Sequence, residues 1–349
     1  MSRDSEFKSL KKELQVVDLS EVTDKITCLS TGNVAFDLAM GGGWPEGRIS
    51  EIYGEWQTGK SLIAYLSIAA CQRAGGFAVL DDAERAFTKT WAKMLGINTD
   101  DLIYCYFDSL EDGFQHMEDV AKKVRDMESF KDAPLLYVKD SLAASIAKSE
   151  IDEPFEKGGV AVRARAISRG LSRLVPLIAD QKVAVVFVNQ LRKNVGVMFG
   201  EDEVTSGGMA PKFYAGVRVA LRRGKKLKDG EKIIGIGGRM EVVKSKIGTP
   251  FKHVNFETFF SSGIDPLSGL LEYLVDRDVI SRPTTQSYEF SGERFRTAEF
   301  ASFWNTHRDA ILVKLSLAEG TTILPENPEE VEEDKRGEKI KRQGPKRRD

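Results

Sequence analysis

Beyond residue 76 the chain repeats one pattern: a short, almost wholly apolar run followed by a longer segment of mixed polarity. The runs are 77–80, 102–107, 135–138 and 183–188, built from Val, Leu, Ile, Ala, Tyr, Phe and one cysteine. A strand covered by helices on both faces needs apolar side chains at successive positions. These runs therefore predict an α/β fold with a mostly parallel central sheet. Runs 217–221, 239–243 and 255–260 alternate more and lie closer together, which predicts added antiparallel strands. Near the start, Phe7, Leu10 and Leu14 recur three and four apart, as on one face of a small helix over 5–16. An apolar stretch at 34–40 runs into the glycine-rich turn 41–47.

From about Pro266 a small α+β unit is expected, with a helix over 267–275, a hairpin over 288–295 and a helix over 297–317. After Pro325 the apolar residues nearly vanish. Residues 326–334 hold six acids and 335–348 hold eight bases, and such a segment cannot bury enough surface to fold alone. A disordered charged tail follows from that composition.

The 349 residues, 41% of them hydrophobic, suffice for one large α/β domain plus small appendages. No apolar run is long enough to cross a bilayer, and Met1-Ser2-Arg3-Asp4 leads into charged residues and not into a signal sequence. No membrane association and a cytoplasmic location are therefore expected. Cys28, Cys71 and Cys105 are too few and too scattered for a disulfide framework or zinc site, and three histidines do not suggest a metal centre. A net charge of −2 says little about partners, because the charges are unevenly placed.

Candidate chemistry begins at Gly54-Glu55-Trp56-Gln57-Thr58-Gly59-Lys60-Ser61, a complete G-x-x-x-x-G-K-[ST] pattern. Its glycines let the backbone turn so tightly that successive N–H groups point at phosphate oxygens. Lys60 offers a flexible point charge to the β- and γ-phosphates, and Ser61 a hydroxyl to Mg²⁺. The β-type run 49–53 precedes the loop and the apolar helical run 62–70 follows it, the setting the motif requires. A nucleoside triphosphate is the expected ligand.

Hydrolysis would further need a carboxylate for the metal and a group that activates water. Asp140 closes the apolar segment 135–140, the usual place for the metal's carboxylate; an N-cap for 141–144 is the alternative. Lys139 interrupts the apolar character of that segment. Glu84, in Asp81-Asp82-Ala83-Glu84, follows the run 77–80 and could polarise the attacking water. Asn189-Gln190 follows 183–188, and an amide there could sense the γ-phosphate. Each alone reads as a surface residue. Together they would meet at the carboxyl edge of the sheet, where ligands of open α/β folds bind.

The stretch 191–212 has Gly196, Gly200, Gly207, Gly208 and Ala210 and little periodicity, and so long an irregular insertion is functional or disordered. Arg192 and Lys193 stand beside Val195, Val197, Met198 and Phe199. Cations for phosphates and apolar platforms for bases are what single strands need. Arg165, Arg169 and Arg173, four apart, form a basic helical stripe, either a nucleic-acid contact or a solvated face. Residues 222–228 read as a basic turn between two strands, a duplex-DNA contact or a solvated hairpin tip.

Several segments resemble the RecA recombinase family. They are Ser30-Thr31-Gly32, Gly47-Arg48-Ile49-Ser50-Glu51-Ile52-Tyr53-Gly54, Asp82-Ala83-Glu84, Asn189-Gln190-Leu191-Arg192, Gly196-Val197-Met198-Phe199-Gly200, Thr205-Ser206-Gly207-Gly208, Lys212-Phe213-Tyr214-Ala215-Gly216-Val217-Arg218 and Val243-Lys244-Ser245-Lys246. The similarity runs in order from about 30 to 263, and more faintly to about 317. Divergent loops and a short N-terminal region suit a distant member, of the kind bacteriophages carry.

The resemblance implies a RecA-like P-loop ATPase core over 30–265. An N-terminal helix and linker at 1–29 would make a subunit contact, with a C-terminal domain over 266–320 and a tail over 321–349. It implies ATP and Mg²⁺ as cofactors, Lys60 and Ser61 holding phosphate and metal, Glu84 activating water and Asp140 as the second metal residue. Gln190 would couple the γ-phosphate to the loop that follows. ATP would lie between subunits of a helical filament, with Lys244 and Lys246 reaching across to it and Phe213 packing into the neighbour. Trp91 stands where an aromatic stacks on adenine, and Thr88 replaces an expected aspartate there. One DNA loop would be 153–162, followed by the basic stripe; the second would place Arg192, Gly207 and Gly208 near the DNA backbone and Val195 between bases.

The activity implied is DNA-dependent ATP hydrolysis with homologous pairing and strand exchange in recombination and repair. Single-stranded and homologous duplex DNA would be the partners, with single-strand-binding and loader proteins beside them. A non-catalytic mediator, motivated by Lys139 and Thr88, or a hexameric DNA motor on the same core are the alternatives.

Overall fold

In the computed structural model the described residues are 7, 11, 13, 26–151, 159–193 and 203–319. Phe7, Lys11 and Glu13 are helical; the rest of the N-terminal helix expected over 5–16, most of the loop 153–162, Val195 and the charged tail lie outside the described residues. The chain divides into two compact units, Met1–Tyr273 and Leu274–Asp349, a division that falls within the helix Leu270–Val275.

The first unit opens with a two-stranded ribbon, β1 (Cys28–Leu29) and β2 (Trp44–Pro45), on either side of the helix Val34–Met40. Then come β3 (Arg48–Gly54), the helix Lys60–Arg73, β4 (Phe77–Asp82), the helix Lys89–Leu95, β5 (Leu102–Cys105) and the helix Leu110–Asp126. They are followed by β6 (Leu135–Asp140), the helix Val160–Asp180, β7 (Val183–Lys193), β8 (Glu203–Thr205) and the helix Ala210–Tyr214. The long hairpin β9 (Val217–Asp229) and β10 (Lys232–Ser245), then β11 (His253–Phe259) and β12 (Gly263–Ile264), complete the unit's strands.

One sheet takes the order β12-β11-β10-β9-β3-β7-β6-β4-β5, with β8 paired to β7. From β5 to β9 every pairing is parallel, and from β9 to β12 antiparallel. The expected division into parallel core and antiparallel extension is thus present.

The parallel strands are apolar because both their faces are covered. The helix Lys60–Arg73 packs over β3, β4, β6 and β7, and ten of its fourteen residues are buried. On the other face Val79, Leu135, Tyr137, Val185 and Phe187 meet Leu110, Phe114, Leu171 and Leu174 of the two long helices. Leu110, Phe114, Met117, Ala121 and Val124 recur every three or four residues and so line one side of their helix. Ser109 caps that helix by accepting from the Asp112 N–H.

Two sequence expectations change. Residues 222–228 are not a turn: β9 continues through them, and the hairpin reverses only at Gly230 and Glu231. Its charged side chains are tolerated because this arm is largely exposed, while pairing with a bulged β10 satisfies the backbone. Lys139, the blemish in an apolar strand, is fully buried, and its Nζ lies 2.7 Å from Oδ2 of Asp81, also fully buried. The parallel register sets the two residues side by side on β4 and β6. Gly113 makes room for them: a Cβ there would stand 3.0 Å from the carboxylate and 3.1 Å from the ammonium.

The second unit is a three-stranded antiparallel sheet, β13 (Ser281–Thr284), β14 (Ser287–Phe290) and β15 (Glu293–Phe295), with the helix Phe300–Glu319. Ser291 and Gly292, both at positive φ, make the tight turn between β14 and β15. Phe295 stacks on Phe303 at 4.0 Å, and Phe303 on His307 at 4.2 Å. The expected hairpin and long helix are both found here.

A buried ion pair is costly to form and costlier to break. Lys139→Val alone should destabilise the chain by about 3–5 kcal/mol by stranding Asp81. The double change Asp81→Ile with Lys139→Val should restore wild-type stability or exceed it, as read by urea denaturation.

Candidate nucleotide and nucleic-acid site

Four neighbouring strands, in the order β4-β6-β7-β3, deliver their carboxyl ends to one edge of the sheet. Gly54, at the end of β3, is level with Gln190 of β7, and Asp82 of β4 with Asp140 of β6. At Gly54 a side chain is impossible, since a Cβ would lie 2.4 Å from the Leu221 carbonyl oxygen. Gln57 and Gly59 take φ of 54° and 90°, curling the loop into a concavity of the kind in which backbone N–H groups bind anions. The helix Lys60–Arg73 begins directly after it, its N-terminus adding positive potential.

Lys60 is nearly buried and its Nζ donates to the Glu55 carbonyl at 2.6 Å. Burial lowers its pKa, while Asp140 and Glu84 oppose that shift. Thr58 closes the same turn through Oγ1 to Glu55 O at 3.0 Å. Trp56 is exposed at the loop's tip, and the Arg223 guanidinium lies 5.1 Å from its ring centroid.

Burial raises Asp140 to about 6; the Ser61 hydroxyl lowers it, Glu84 raises it and the Tyr65 hydroxyl, 3.2 Å from Oδ2, lowers it. Its Oδ1 is buried without a hydrogen bond, although the Ser61 side chain is near enough to favour the charged form. An orphaned carboxylate oxygen beside a hydroxyl and a phosphate loop fits a hard divalent cation. Mg²⁺ takes few protein ligands when phosphates and water supply the rest. Accordingly, no cluster of three or more His, Cys, Asp or Glu suited to a metal occurs among the described residues.

Glu84 is joined to two strand ends. Its Oε1 accepts from Ser141 Oγ at 2.7 Å and from Gln190 Nε2 at 3.1 Å. Asn189, considered beside Gln190 as a sensing amide, is instead fully buried and points into the protein. Trp91 is partly exposed in the first turn of the helix Lys89–Leu95, whose N-cap is Thr88, with Oγ1 accepting from Trp91 N at 3.3 Å.

Lys244 and Lys246 do not join this edge. Lys244 is level with Arg218, itself opposite Glu51, and the Lys246 N–H donates to Gly216 O beside the start of β3. Three residues of strand separate the Lys244 level from Gly54, roughly 10 Å, and about five separate the Lys246 level from it, roughly 16 Å. Burial lowers the Lys244 pKa, and its Nζ donates to Lys212 O at 2.7 Å and Phe213 O at 3.1 Å. Lys246 and Phe213 are exposed.

The basic stripe divides. Arg165 lines a groove of about 630 Å³ with Ser168, Gly207, Met209 and Phe213. Gly208 continues the turn at its rim, while Arg169 is exposed toward the helix Leu110–Asp126. Arg173 is engaged instead by Glu118, its Nη2 2.8 Å from Oε2. The Glu118 side chain is almost wholly buried and requires a counter-charge. Arg192 lies in β7.

Sequence reading missed Ser141, Glu51 and Arg218 as partners of site residues. Glu51, a carboxylate inside an apolar strand, was the one visible signal.

A family model, RecA N-terminal domain, matches residues 7–265. The chain belongs to the RecA family. It is 35% identical over 318 residues to the protein RecA of Limosilactobacillus reuteri, covering 89% of this chain and 85% of that one. It is 37% identical to the RecA of Thioalkalivibrio sulfidiphilus, covering 80% and 79% of the two chains, and 37% to that of Clostridioides difficile, covering 76% and 75%. ATP and Mg²⁺ are the cofactors of this family. No helix among the described residues is long and apolar enough to cross a membrane.

The raised Asp140 pKa sets a pH dependence. Below pH 3.8 the group is protonated folded and unfolded; from there to about 6 only the unfolded chain loses the proton, so stability falls as pH rises. Above about 6 the ionised group carries its full burial cost, which a cation offsets. The rise in melting temperature produced by Mg²⁺ with nucleotide should therefore fade below pH 6 and lose that pH dependence in Asp140→Asn, as measured by differential scanning fluorimetry.

Proposed function

We propose that this RecA-family chain is a DNA-dependent ATPase that forms helical filaments on single-stranded DNA and promotes pairing and strand exchange with homologous duplex. Recombination and repair of the RecA type is the function that family membership carries. The observation that supports an ATP-controlled version of it is the Gln190–Glu84 hydrogen bond of 3.1 Å. It joins the residue assigned to orient water to the strand that leads toward the DNA-loop segment.

The N–H groups of the phosphate loop, with Lys60 and Ser61, would hold phosphate and Mg²⁺, and Asp140 would complete the metal's surroundings. Bound there, MgATP supplies an electrophilic phosphorus whose developing charge the metal shares. Glu84 would orient the attacking water, and Gln190 would exchange its contact with Glu84 for one with the γ-phosphate. Trp91 would stack on the base. Lys244 and Lys246, remote from their own phosphate loop, are suited to serve a neighbour's, which makes the site a property of the filament. Arg165, Arg169, Arg173, Arg192, Val195, Gly207 and Gly208 remain the proposed DNA contacts, and Arg173 would have to leave Glu118 to take part. We place the activity in the cytoplasm of a bacterium or phage-infected host, with single-strand-binding and loader proteins as further partners. The non-catalytic reading loses one motive, because Lys139 has a structural partner in Asp81.

Lys60→Ala should abolish turnover. Glu84→Gln should slow it roughly 10²–10⁴-fold while keeping ATP binding and trapping the DNA-bound filament. Steady-state hydrolysis with and without single-stranded DNA, alongside electron microscopy, reads both. Absence of stimulation together with closed rings would overturn the proposal. Mixing Lys60→Ala subunits with Lys244→Ala/Lys246→Ala subunits should recover part of the activity each lacks, since some interfaces then pair an intact loop with intact lysines.

A further inference from the structure

Behind the exposed Gln190 lies a buried polar network that the nucleotide chemistry does not use. Glu51, on β3, is fully buried; its Oε2 accepts from Arg218 Nε at 2.6 Å and its Oε1 from Asn189 Nδ2 at 2.8 Å. The same Asn189 Nδ2 donates to the Ser206 carbonyl at 2.9 Å, and Oδ1 accepts the Gln190 N–H at 2.9 Å. The amide orientation follows from chemistry, because a carboxylate and a carbonyl can only accept. Arg218 is held further by the Tyr53 ring, 4.6 Å from its guanidinium carbon.

These contacts link three parts of the molecule. Glu51 is three residues before Gly54 on the phosphate-loop strand. Gln190 touches Glu84 at the nucleotide edge. Ser206 begins the turn whose Gly207 and Met209 line the groove containing Arg165. Asn189 bonds, through its one side chain and its place beside Gln190, to all three parts. Both its amide hydrogens and its oxygen are engaged, in a low-dielectric interior where unpaired groups are expensive.

We infer that Asn189 is a positioning residue that transmits nucleotide state from Gln190 to the Ser206–Gly207 turn, with the Glu51–Arg218 pair as its fixed anchor. This rests on the proposed function, since it specifies how DNA grip is tied to ATP. A movement of Gln190 toward phosphate pulls on the peptide N–H held by Asn189 Oδ1. Because Glu51 anchors the amide, the displacement is passed to the Ser206 carbonyl. A residue that merely filled the core would affect stability and leave this coupling intact.

The experiment compares single-stranded DNA affinity with and without a nonhydrolysable ATP analogue, by fluorescence anisotropy, alongside melting temperature. Coupling between two sites commonly amounts to about 5–150-fold in affinity. That factor should be present in the unaltered chain and fall close to one in Asn189→Ala. Nucleotide affinity measured without DNA should stay within about threefold, because coupling is a property of the doubly bound state. The exchange Glu51→Gln with Asn189→Asp keeps one negative charge for Arg218 and a hydrogen bond between the two positions, so it guards against simple unfolding. A carboxylate at 189 cannot donate to Ser206, so melting temperature should recover only in part, and the coupling factor should not recover. If Asn189→Ala keeps the full factor, or the exchange restores it, the inference is wrong and the proposed function stands. If the unaltered chain shows no factor, both fall.

Discussion

Parallel register is the constraint on which the rest of the structure depends. Strands running the same way end at the same edge, and hydrogen bonding fixes which residues are level there. Gly54 is level with Gln190, and Asp82 with Asp140. Side chains far apart in the chain, such as Glu84 and Gln190, therefore meet at 3.1 Å without any loop having to be long or specialised. The helices covering both faces exclude water from the strands, and that exclusion pushes the Asp140 pKa upward and the Lys60 pKa downward. Packing and site chemistry share one cause.

The same register places charges inside the sheet. Asp81 and Lys139 face each other across β4 and β6, and Glu51 and Arg218 across β3 and β9. Burying such pairs seldom adds stability over apolar residues of similar size. The first pair interacts further with Tyr137, whose hydroxyl also meets His116. The second has a spare carboxylate oxygen, taken by Asn189, and so extends toward Gln190 and Ser206. One pair specifies which strands lie together; the other can carry a signal.

Completeness is a second consequence of topology. The antiparallel return of β10 carries Lys244 to the level of the middle of β3 and Lys246 toward the end remote from the phosphate loop. In the proposed filament these cations would serve a neighbour's phosphate loop, which would make assembly and hydrolysis interdependent.

Much of this was legible in the linear pattern. The phosphate loop depends on backbone turns that only particular residues allow, so Gly54, Gly59, Lys60 and Ser61 were readable locally. Continuous apolar runs announced the parallel strands, and the groups just after them announced the edge where Glu84, Asp140 and Gln190 gather. Features that depend on what lies alongside were not legible. Lys139 read as a defect because Asp81 is 58 residues away in the chain. The residues 222–228 read as a turn because strand pairing, not composition, keeps β9 extended. Arg173 read as part of a free stripe because Glu118 belongs to another helix. Local sequence determined which backbone shapes and chemical groups this protein has. Tertiary structure alone decided which groups are paired, buried or left exposed, because those depend on neighbours brought together through space.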